Sequence, residues 1–352
     1  MRLLQARLSG VGPFRDEVFP FHDGSGAPSA VTTIVGTGGV GKTTLLSAIA
    51  STRPGHAVVA SGLASSAEAD AAPFAVCDWT LGADDPERPH PLRITTPTTL
   101  TRGFDDDAVE VLRRREQAHF DKRARDGGFA LLSFPATRWF SRTPLHLQAP
   151  ARSVGRYDVR SAANFDDATR SDLTRDIKQA LAYADIAAAL AQGGGDRGRG
   201  LALLGTAMRR TVSAALAATE FGYLGLDAQS LEPMFSFGTA RARRFEALPT
   251  ACRHLVGFAA LSVRTLWAAY PGADPTLSEG TVLIDEVDAG LEASVAGAAL
   301  SALSAALPNV QWIVTTSSSV LASARGASDV IALRRAADDS VELHMGSSAL
   351  TH

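Results

Sequence analysis

Residues 30–50 read AVTTIVGTGGVGKTTLLSAIA and join three kinds of segment in a fixed order. A β-branched run, Val31–Val35, comes first, and apolar residues at helical spacing come last. Between them, residues 36–43 match the phosphate-binding loop pattern G-x-x-x-x-G-K-[ST] at every defined position. A strand, a glycine-rich loop and a helix in this order predict a P-loop nucleotide-binding fold.

The loop residues suit the chemistry of nucleotide phosphates. Glycines let backbone N–H groups close around phosphate oxygens, and the N-terminus of the following helix adds positive potential. We expect Lys42 to reach the β- and γ-phosphates and Thr43 to hold Mg²⁺. The predicted nucleotide-binding residues are Gly36, Thr37, Gly38, Gly39, Val40, Gly41, Lys42, Thr43 and Thr44. The alternative is a glycine-rich turn that binds no ligand.

The composition is that of an ordinary globular protein. The chain has 352 residues, 45% hydrophobic and 20% charged, and its net charge is −3. This length allows one large domain with an insertion, or two domains. The charge provides no global basic field for nucleic acid, although local arginine clusters leave a DNA groove open. No apolar run approaches the ~20 residues of a membrane span and no signal peptide is visible, so we expect a cytoplasmic protein without a membrane partner.

Local patterns predict strands towards both ends of the chain and helices in the middle. The predicted strands form a hairpin in 1–22, a short strand at 57–59, a hairpin in 74–100 and a buried strand in 129–135. A surface helix is predicted in 105–126 and a linker in 149–167. The series Leu173, Ile177, Leu181 and the series Leu204, Met208, Val212 each predict an amphipathic helix, separated by a flexible loop at 192–200. Cys77 and Cys252 are expected to be buried apolar residues, because neither lies in a metal-binding or disulfide pattern.

A second motif lies far downstream, in residues 281–286, TVLIDE. Strand-forming residues followed by Asp-Glu make the Walker B pattern of P-loop ATPases. We expect Asp285 to hold Mg²⁺ and Glu286 to act as general base on the attacking water, with Lys42 as the second catalytic group. The alternative is a buried strand that ends in an acidic turn.

A further strand is predicted at Val310–Thr316, after a helix at 293–307. The carboxyl ends of parallel strands meet at one edge of a sheet, which is where α/β proteins bind ligands. We therefore expect Thr315 and Thr316 to lie beside Asp285 and Glu286, close to the phosphates.

Three stretches resemble the ABC-type ATPases of the SMC/RecF/OLD superfamily, in particular its short bacterial ATP-binding proteins. They are LIDEVDAGL at 283–291, LPNVQWIVTTSSSVL at 307–321 and the opening MRLLQARLSGVGPF at 1–14. The resemblance implies an α/β P-loop NTPase of ABC-ATPase type. Its mostly parallel core sheet would be flanked by helices, with an N-terminal antiparallel β subdomain and an inserted helical region. The implied division is 1–148 and 236–352 for the two parts of the ATPase core, with a helical insertion at 149–235.

The chain departs from this family in two motifs. The histidine expected after Thr316 is replaced by Ser317, which we include among the nucleotide-binding residues. The ABC signature, which in the family caps the γ-phosphate bound by a second subunit, aligns best with residues 248–253, LPTACR, and lacks the usual serine and glycine. Pro249 fits the first position of a helix there. A rival alignment uses residues 236–238.

Arg138 follows the predicted strand at 129–135. It stands where related ATPases place a residue that senses the γ-phosphate. The alternative for Arg138 is an ordinary surface salt bridge.

The resemblance implies a switch that binds ATP and Mg²⁺ and dimerises through its nucleotide sites, as a homodimer or heterodimer. The altered motifs predict hydrolysis that is slow or dependent on a partner. A role in bacterial anti-phage defence or DNA maintenance with a separate protein effector is implied, with nucleic-acid binding left open. A non-hydrolytic scaffold is the main alternative, whereas a transporter subunit would need a well-formed signature.

Overall fold

The computed structural model describes residues 1–52, 73–81, 92–96, 116, 118–119, 122, 127–145, 147, 172–191, 195–238 and 242–346. The strand expected at 57–59 and the linker expected at 149–167 lie outside these residues. The helix expected in 105–126 also lies outside them, apart from helical positions at 116, 118, 119 and 122.

Beside the predicted elements, the described residues contain five strands that were not predicted from the sequence, between Phe221 and Arg244 and between Val330 and Met345. The strands are β1 (Leu3–Val11), β2 (Phe14–Pro20), β3 (Val31–Val35), β4 (Phe74–Trp79), β5 (Leu92–Thr96), β6 (Leu131–Phe134), β7 (Phe221–Leu226), β8 (Pro233–Phe237), β9 (Arg243–Arg244), β10 (Gly280–Ile284), β11 (Val310–Thr316), β12 (Val330–Arg335) and β13 (Val341–Met345). The helices are α1 (Lys42–Ser51), α2 (Thr174–Leu190), α3 (Gly195–Leu216), α4 (Thr250–Ala269), α5 (Ala293–Ala306) and α6 (Ser319–Ser323).

A six-stranded sheet in the order β13-β12-β3-β11-β10-β6 forms the core. Its pairs are parallel except for β12–β13, which is antiparallel. The strand that leads into the phosphate loop, β3, therefore lies beside β11, and β11 lies beside β10. This order brings the ends of β3, β10 and β11 together at one edge, as the sequence predicted.

The two faces of this sheet belong to two separate hydrophobic clusters. Along β10, Val282 and Ile284 face one cluster and Leu283 faces the other, because successive side chains of a strand point to opposite faces. The first cluster also contains residues of α2, α3, α4 and α5. Burial on both faces explains why β3, β10 and β11 are continuous apolar or β-branched runs in the sequence.

A second sheet is antiparallel, in the order β2-β1-β4-β5, and confirms both predicted hairpins. Apolar residues of α1, including Leu45, Leu46 and Ile49, share a cluster with this sheet and with the second face of the central one. Helix α1 is thus held between the two sheets. The predicted fold class, with its parallel core, antiparallel β subdomain and helices, is confirmed.

The loop predicted at 192–200 is wrong for residues 195–200, which form the first turns of α3. One glycine of this stretch, and one further along α3, serve helix packing. A Cβ atom on Gly198 would lie 2.6 Å from the carbonyl oxygen of Ala191, and one on Gly205 would lie 2.5 Å from Cβ of Ala188. Glycine at these positions therefore lets α3 approach α2 closely. The glycine content that predicted a flexible loop instead reflects close helix packing.

A third, three-stranded sheet has the order β7-β8-β9 and leads into α4. Helix α4 begins at Thr250, and Pro249 is its N-cap residue. The sequence predicted Pro249 one position further on, at N1. The rival signature stretch at 236–238 ends strand β8, where the Ser236 hydroxyl donates to the Gly222 carbonyl. Only residues 248–253 therefore lie at a helix start, and we refer to α4 below as the signature-like helix.

Cys77 and Cys252 are both buried and unpaired, as expected. Among the described residues, we find no helix with the length and apolar character needed to cross a membrane.

Candidate nucleotide-binding site

The phosphate loop, residues 36–43, connects β3 to α1. Gly41 has φ +92°, and a Cβ atom there would lie 2.6 Å from the ring of Phe14. A Cβ atom on Gly36 would lie 2.6 Å from the Leu333 carbonyl oxygen. Both positions therefore require glycine, because the hairpin and β12 approach the loop too closely for any side chain.

The N-terminus of α1 suits an anion. No side chain caps this end of the helix, and its first turn contains no acidic residue. The first-turn N–H groups have no intrahelical acceptors and carry the positive end of the helix dipole. Of the remaining predicted loop residues, Val40 is buried in the core, and the side chain of Thr44 faces Gly12 in the β1–β2 turn.

The Lys42 ammonium group lies inside the loop. Its Nζ donates to the carbonyl oxygens of Gly36 at 2.6 Å and Thr37 at 2.9 Å, and to Ser317 Oγ at 3.3 Å. Burial lowers the pKa of Lys42, although the nearby carboxylates of Asp285, Glu286 and Asp288 act to raise it. The contact with Ser317 joins the phosphate loop to the end of β11, at the position where the resemblance expects a histidine.

Thr43 and Asp285 meet where a metal ion is predicted. The Thr43 hydroxyl donates to Asp285 Oδ2 at 2.7 Å, and the Thr315 hydroxyl donates to Oδ1 at 2.5 Å. Asp285 is fully buried. A hydroxyl and a carboxylate are the hard oxygen ligands that Mg²⁺ takes alongside phosphate oxygens, so this pair fits the predicted ion.

Glu286 leaves the end of β10 in an unusual backbone conformation. Glu286 has a φ of +49°, in the left-handed region, and is exposed to solvent. Its N–H donates to Thr315 Oγ1 at 2.8 Å. The two predicted acidic residues therefore separate at the strand end: Asp285 points into the protein beside Thr43, and Glu286 remains accessible to water.

The sequence did not single out Asp288, although it lies beside this site. Its Oδ2 accepts from the Thr316 hydroxyl at 2.7 Å, and Thr316 Oγ1 in turn accepts from the Ser318 N–H at 2.9 Å. These contacts tie the loop after β10 to the loop after β11. The acidic residue two positions after the Walker B pair was the available signal.

Arg138 is buried, with 7% exposure, so the alternative of a surface salt bridge is wrong. Its Nη1 donates to the carbonyl oxygens of Pro135 at 2.6 Å and Asp285 at 2.5 Å, and its Nη2 donates to that of Glu286 at 2.8 Å. Burial lowers the pKa of Arg138 to about 10, which leaves it charged at neutral pH. Arg138 therefore holds the backbone that carries the predicted general base, and a role as γ-phosphate sensor stays a prediction.

His254 was also missed by the sequence reasoning. It lies on the signature-like helix with 4% exposure, and its Nδ1 is 3.1 Å from the carbonyl oxygen of Ala289. Burial, together with the charges of Arg138 and Arg253, lowers its pKa to about 4. A lone histidine in a helix carries no sequence signal that would predict this contact.

This buried histidine should make the protein sensitive to acid. In the unfolded chain His254 gains a proton as the pH falls below about 6.5, whereas in the folded chain it stays neutral until about pH 4. Its contribution is therefore complete above pH 6.5 and is lost as the pH falls to 4, by on the order of 3 kcal/mol. We expect urea denaturation of His254→Asn to show a smaller fall in unfolding free energy between pH 6.5 and 4. An identical fall in both proteins would contradict the assignment.

A phosphate loop, an acidic pair at the end of a neighbouring strand, and a parallel core sheet with an antiparallel β subdomain together define a P-loop NTPase fold of ABC type. No protein-family model matches the chain. A search of curated protein sequences also gives no match.

A search of solved structures finds SMC head domains. An SMC head domain bound to the C-winged helix domain of ScpA has 13% identity, 100% coverage of both chains and a TM-score of 0.52. An SMC head domain from Thermotoga maritima has 15% identity, coverage of 98% and 99%, and a TM-score of 0.45. A head domain with an extended coiled coil, bound to the C-terminal domain of ScpA derived from Pyrococcus furiosus, has 13% identity, coverage of 99% and 97%, and a TM-score of 0.46. The chain has the fold of SMC head domains, and the first of these structures carries that assignment.

Proposed function

We propose that this protein is an ATP–Mg²⁺-binding switch that dimerises when nucleotide is bound and hydrolyses ATP slowly or with the help of a partner. One observation carries the proposal: Lys42 contacts Ser317 and Thr43 contacts Asp285, so residues far apart in the chain meet beside an uncapped helix N-terminus. This arrangement supports binding of a nucleotide together with a divalent cation.

Each site residue has a distinct proposed role. Backbone N–H groups of residues 36–43 would bind the phosphate oxygens, and Lys42 would neutralise charge on the β- and γ-phosphates. Thr43 and Asp285 would hold Mg²⁺, which neutralises charge that develops on the transferred phosphoryl group. Glu286 would orient the attacking water and accept its proton.

Ser317 supports slow hydrolysis. Its hydroxyl lies 3.3 Å from Lys42 Nζ and therefore belongs to the site, but a serine side chain is shorter than an imidazole. Loss of one donor to the transition state costs on the order of 10²- to 10³-fold in rate in well-studied enzymes. We propose that a partner, or the second subunit, compensates for part of this loss.

The start of the signature-like helix supports a dimer. Thr250 is exposed at this start, no side chain caps it, and its first turn contains no acidic residue. Such a helix end suits the γ-phosphate bound by a second copy or by a related chain. The homotypic and heterotypic forms both fit this geometry.

The division into a core of 1–148 and 236–352 with an insertion of 149–235 remains part of the proposal. We propose that the insertion transmits dimer closure to a protein effector, in anti-phage defence or DNA maintenance. The SMC head domain that shares this fold binds the winged-helix domain of another protein. That precedent supports a protein effector and leaves nucleic-acid binding to direct measurement.

Light scattering tests the switch directly. We expect the unmutated protein to have the mass of a dimer with ATP and Mg²⁺ and the mass of a monomer with ADP. Only ATP supplies the γ-phosphate that a second signature-like helix would bind. Lys42→Ala should stay monomeric with ATP and lose ATP affinity by at least 10²-fold in a fluorescent-nucleotide titration, because the buried cation is removed. Lys122→Ala is the matched control, since Lys122 is exposed.

A dimer of equal mass with ATP, with ADP and without nucleotide would contradict the switch and favour a constitutive scaffold. The replacement of the expected histidine by Ser317 is the observation that favours this second candidate. Absence of nucleotide binding would contradict both candidates.

A further inference from the structure

Two buried nitrogen atoms beside the candidate site have no hydrogen-bond partner among the described residues: Nε of Arg138 and Nε2 of His254. Both side chains pack on one ring. The Arg138 guanidinium lies 5.2 Å from the centre of the Phe258 ring, and the His254 imidazole stacks on that ring at 6.2 Å. A buried polar atom without a partner costs about 1–3 kcal/mol, so such a pair next to a functional site requires an explanation.

The two unpartnered atoms are chemically complementary. His254 Nδ1 faces the Ala289 carbonyl, which only accepts, so Nδ1 carries the proton of the neutral ring. Nε2 is then an acceptor, whereas Arg138 Nε–H is always a donor. Both side chains also lie against the Phe258 ring, which makes them neighbours in the fold.

Each side chain also holds one part of the segment that carries Glu286. Arg138 donates to the carbonyl oxygens of Asp285 and Glu286, and His254 donates to that of Ala289. The left-handed conformation of Glu286 costs roughly 1–2 kcal/mol for a residue with a side chain. The surrounding contacts must therefore maintain this conformation.

We propose that Arg138 and His254 are a positioning pair that couples the signature-like helix to Glu286. His254 lies on the helix whose start, at Thr250, would meet the second subunit. When that helix moves on contact with bound nucleotide, Nε–H of Arg138 donates to Nε2 of His254, and the two residues together fix the carbonyl groups on both sides of Glu286. The inference rests on the proposed function. It adds how contact between the signature-like helix of one subunit and the nucleotide of the other would position Glu286 in the first subunit.

His254→Asn separates positioning from structure. The asparagine side-chain amide reaches the Ala289 carbonyl as Nδ1 does, but it is too short to replace Nε2. Arg138→Lys is the complementary change, since lysine keeps donors for carbonyl groups and lacks the Nε–H group. His344→Asn is the matched control, because His344 lies partly exposed on β13, in a different sheet position from the candidate site.

Hydrogen exchange measured with and without ATP and Mg²⁺ is the first readout. In the unmutated protein and in His344→Asn, nucleotide should slow exchange both in residues 36–43 and at the amides of Val287 and Ala289, which donate to Thr315 and Glu286. In His254→Asn and Arg138→Lys, residues 36–43 should still be protected, while the protection at Val287 and Ala289 should fall by about ten-fold. Where turnover is measurable, we expect kcat to fall by about ten-fold with KM within two-fold, and the double variant to lose no more than either single one.

The outcomes separate the two proposals. If nucleotide protects residues 36–43 and the Val287 and Ala289 amides equally in all four proteins, the positioning pair is overturned and the nucleotide switch stands. Additive losses in the double variant would also overturn it, because a coupled pair cannot lose the same contact twice. If nucleotide does not protect residues 36–43 in the unmutated protein, the proposed function fails, and the coupling fails with it.

Discussion

Glu286→Gln is expected to reduce ATP hydrolysis by at least 10²-fold while ATP affinity changes by less than about three-fold. A positioned general base contributes 10²- to 10⁴-fold in rate, and a glutamine at this position cannot accept the proton of the attacking water. Glu286 is exposed and forms no hydrogen bond with Lys42 or Thr43 in the described part of the chain, so its replacement leaves the hydrogen bonds of those two residues in place. The measurement is single-turnover hydrolysis beside a fluorescent-nucleotide titration.

The same substitution should prolong the ATP-bound dimer, because hydrolysis is the step that would release it. Glu292→Gln is the matched control, since Glu292 is exposed and lies at the N-cap of α5. Equal rates for Glu286→Gln and the unmutated protein would contradict the assignment of the general base. Turnover of the unmutated protein alone near 10 s⁻¹, a common value for enzymes, would contradict the proposal that hydrolysis is slow without a partner.

Lys178→Met is expected to lower the unfolding free energy by about 3–5 kcal/mol. Lys178 lies on α2 and is almost fully buried. Its Nζ donates to Glu246 Oε1 at 2.5 Å and to the Thr143 carbonyl at 3.0 Å, and it forms an ion pair with Glu232 Oε2 at 2.6 Å that lacks hydrogen-bond geometry. Removal of the one cation leaves two largely buried carboxylates without compensation. Urea denaturation with linear extrapolation measures the loss.

Two further variants show whether charge causes the effect. Combining Lys178→Met with Glu232→Gln and Glu246→Gln should restore most of the lost stability, because it removes the uncompensated charges. Arg7→Met breaks an ion pair to Asp16 in which both side chains are half exposed, and it should cost less than about 1 kcal/mol. A triple variant as unstable as Lys178→Met would show that lost packing, rather than charge, governs this position.

The Lys178 cluster also bears on how the insertion could act. Thr143 follows Arg138 in the chain, Glu232 precedes β8, and Glu246 lies four residues before the signature-like helix begins. One buried ammonium group thus joins helix α2 to the segment after β6, to the start of β8 and to the segment that precedes the signature-like helix. Under the proposed function, this cation would transmit a shift of α2 to the segment that precedes the signature-like helix.

Sequence reasoning succeeded where the signal is local or periodic. The strand, loop and helix around residues 36–43, the strands at Gly280–Ile284 and Val310–Thr316 and the N-terminal hairpin agree with the structure within one or two residues. It failed at residues 195–200. There, Gly198, which is typical of a loop, is instead required by the close approach of α3 to the end of α2, and close approach is a property of two helices together.

The candidate site shows the same division. The identities of Lys42, Thr43, Asp285 and Glu286 follow from motifs, because phosphate and metal chemistry fixes residue types at fixed spacings. By contrast, His254 carries no motif, and Arg138 was predicted only from its place in the family resemblance. The contacts of Arg138 are made with backbone carbonyl groups, which every residue possesses. A hydrogen bond to a backbone carbonyl does not restrict the amino-acid type of the accepting residue, so the sequence gives no signal for it.

The sequence by itself thus determined the fold class, the phosphate loop and the acidic pair, since hydrophobic periodicity and motif spacing act over short stretches of chain. Only the tertiary structure decided that Asp285 turns inward to Thr43 while Glu286 remains exposed, and that Ser317 reaches Lys42. It also decided that Arg138 is buried and donates to the carbonyl oxygen of Glu286, the predicted general base. These arrangements depend on the order β3-β11-β10-β6, which brings distant segments to one sheet edge, and strand order is set by packing of the whole chain.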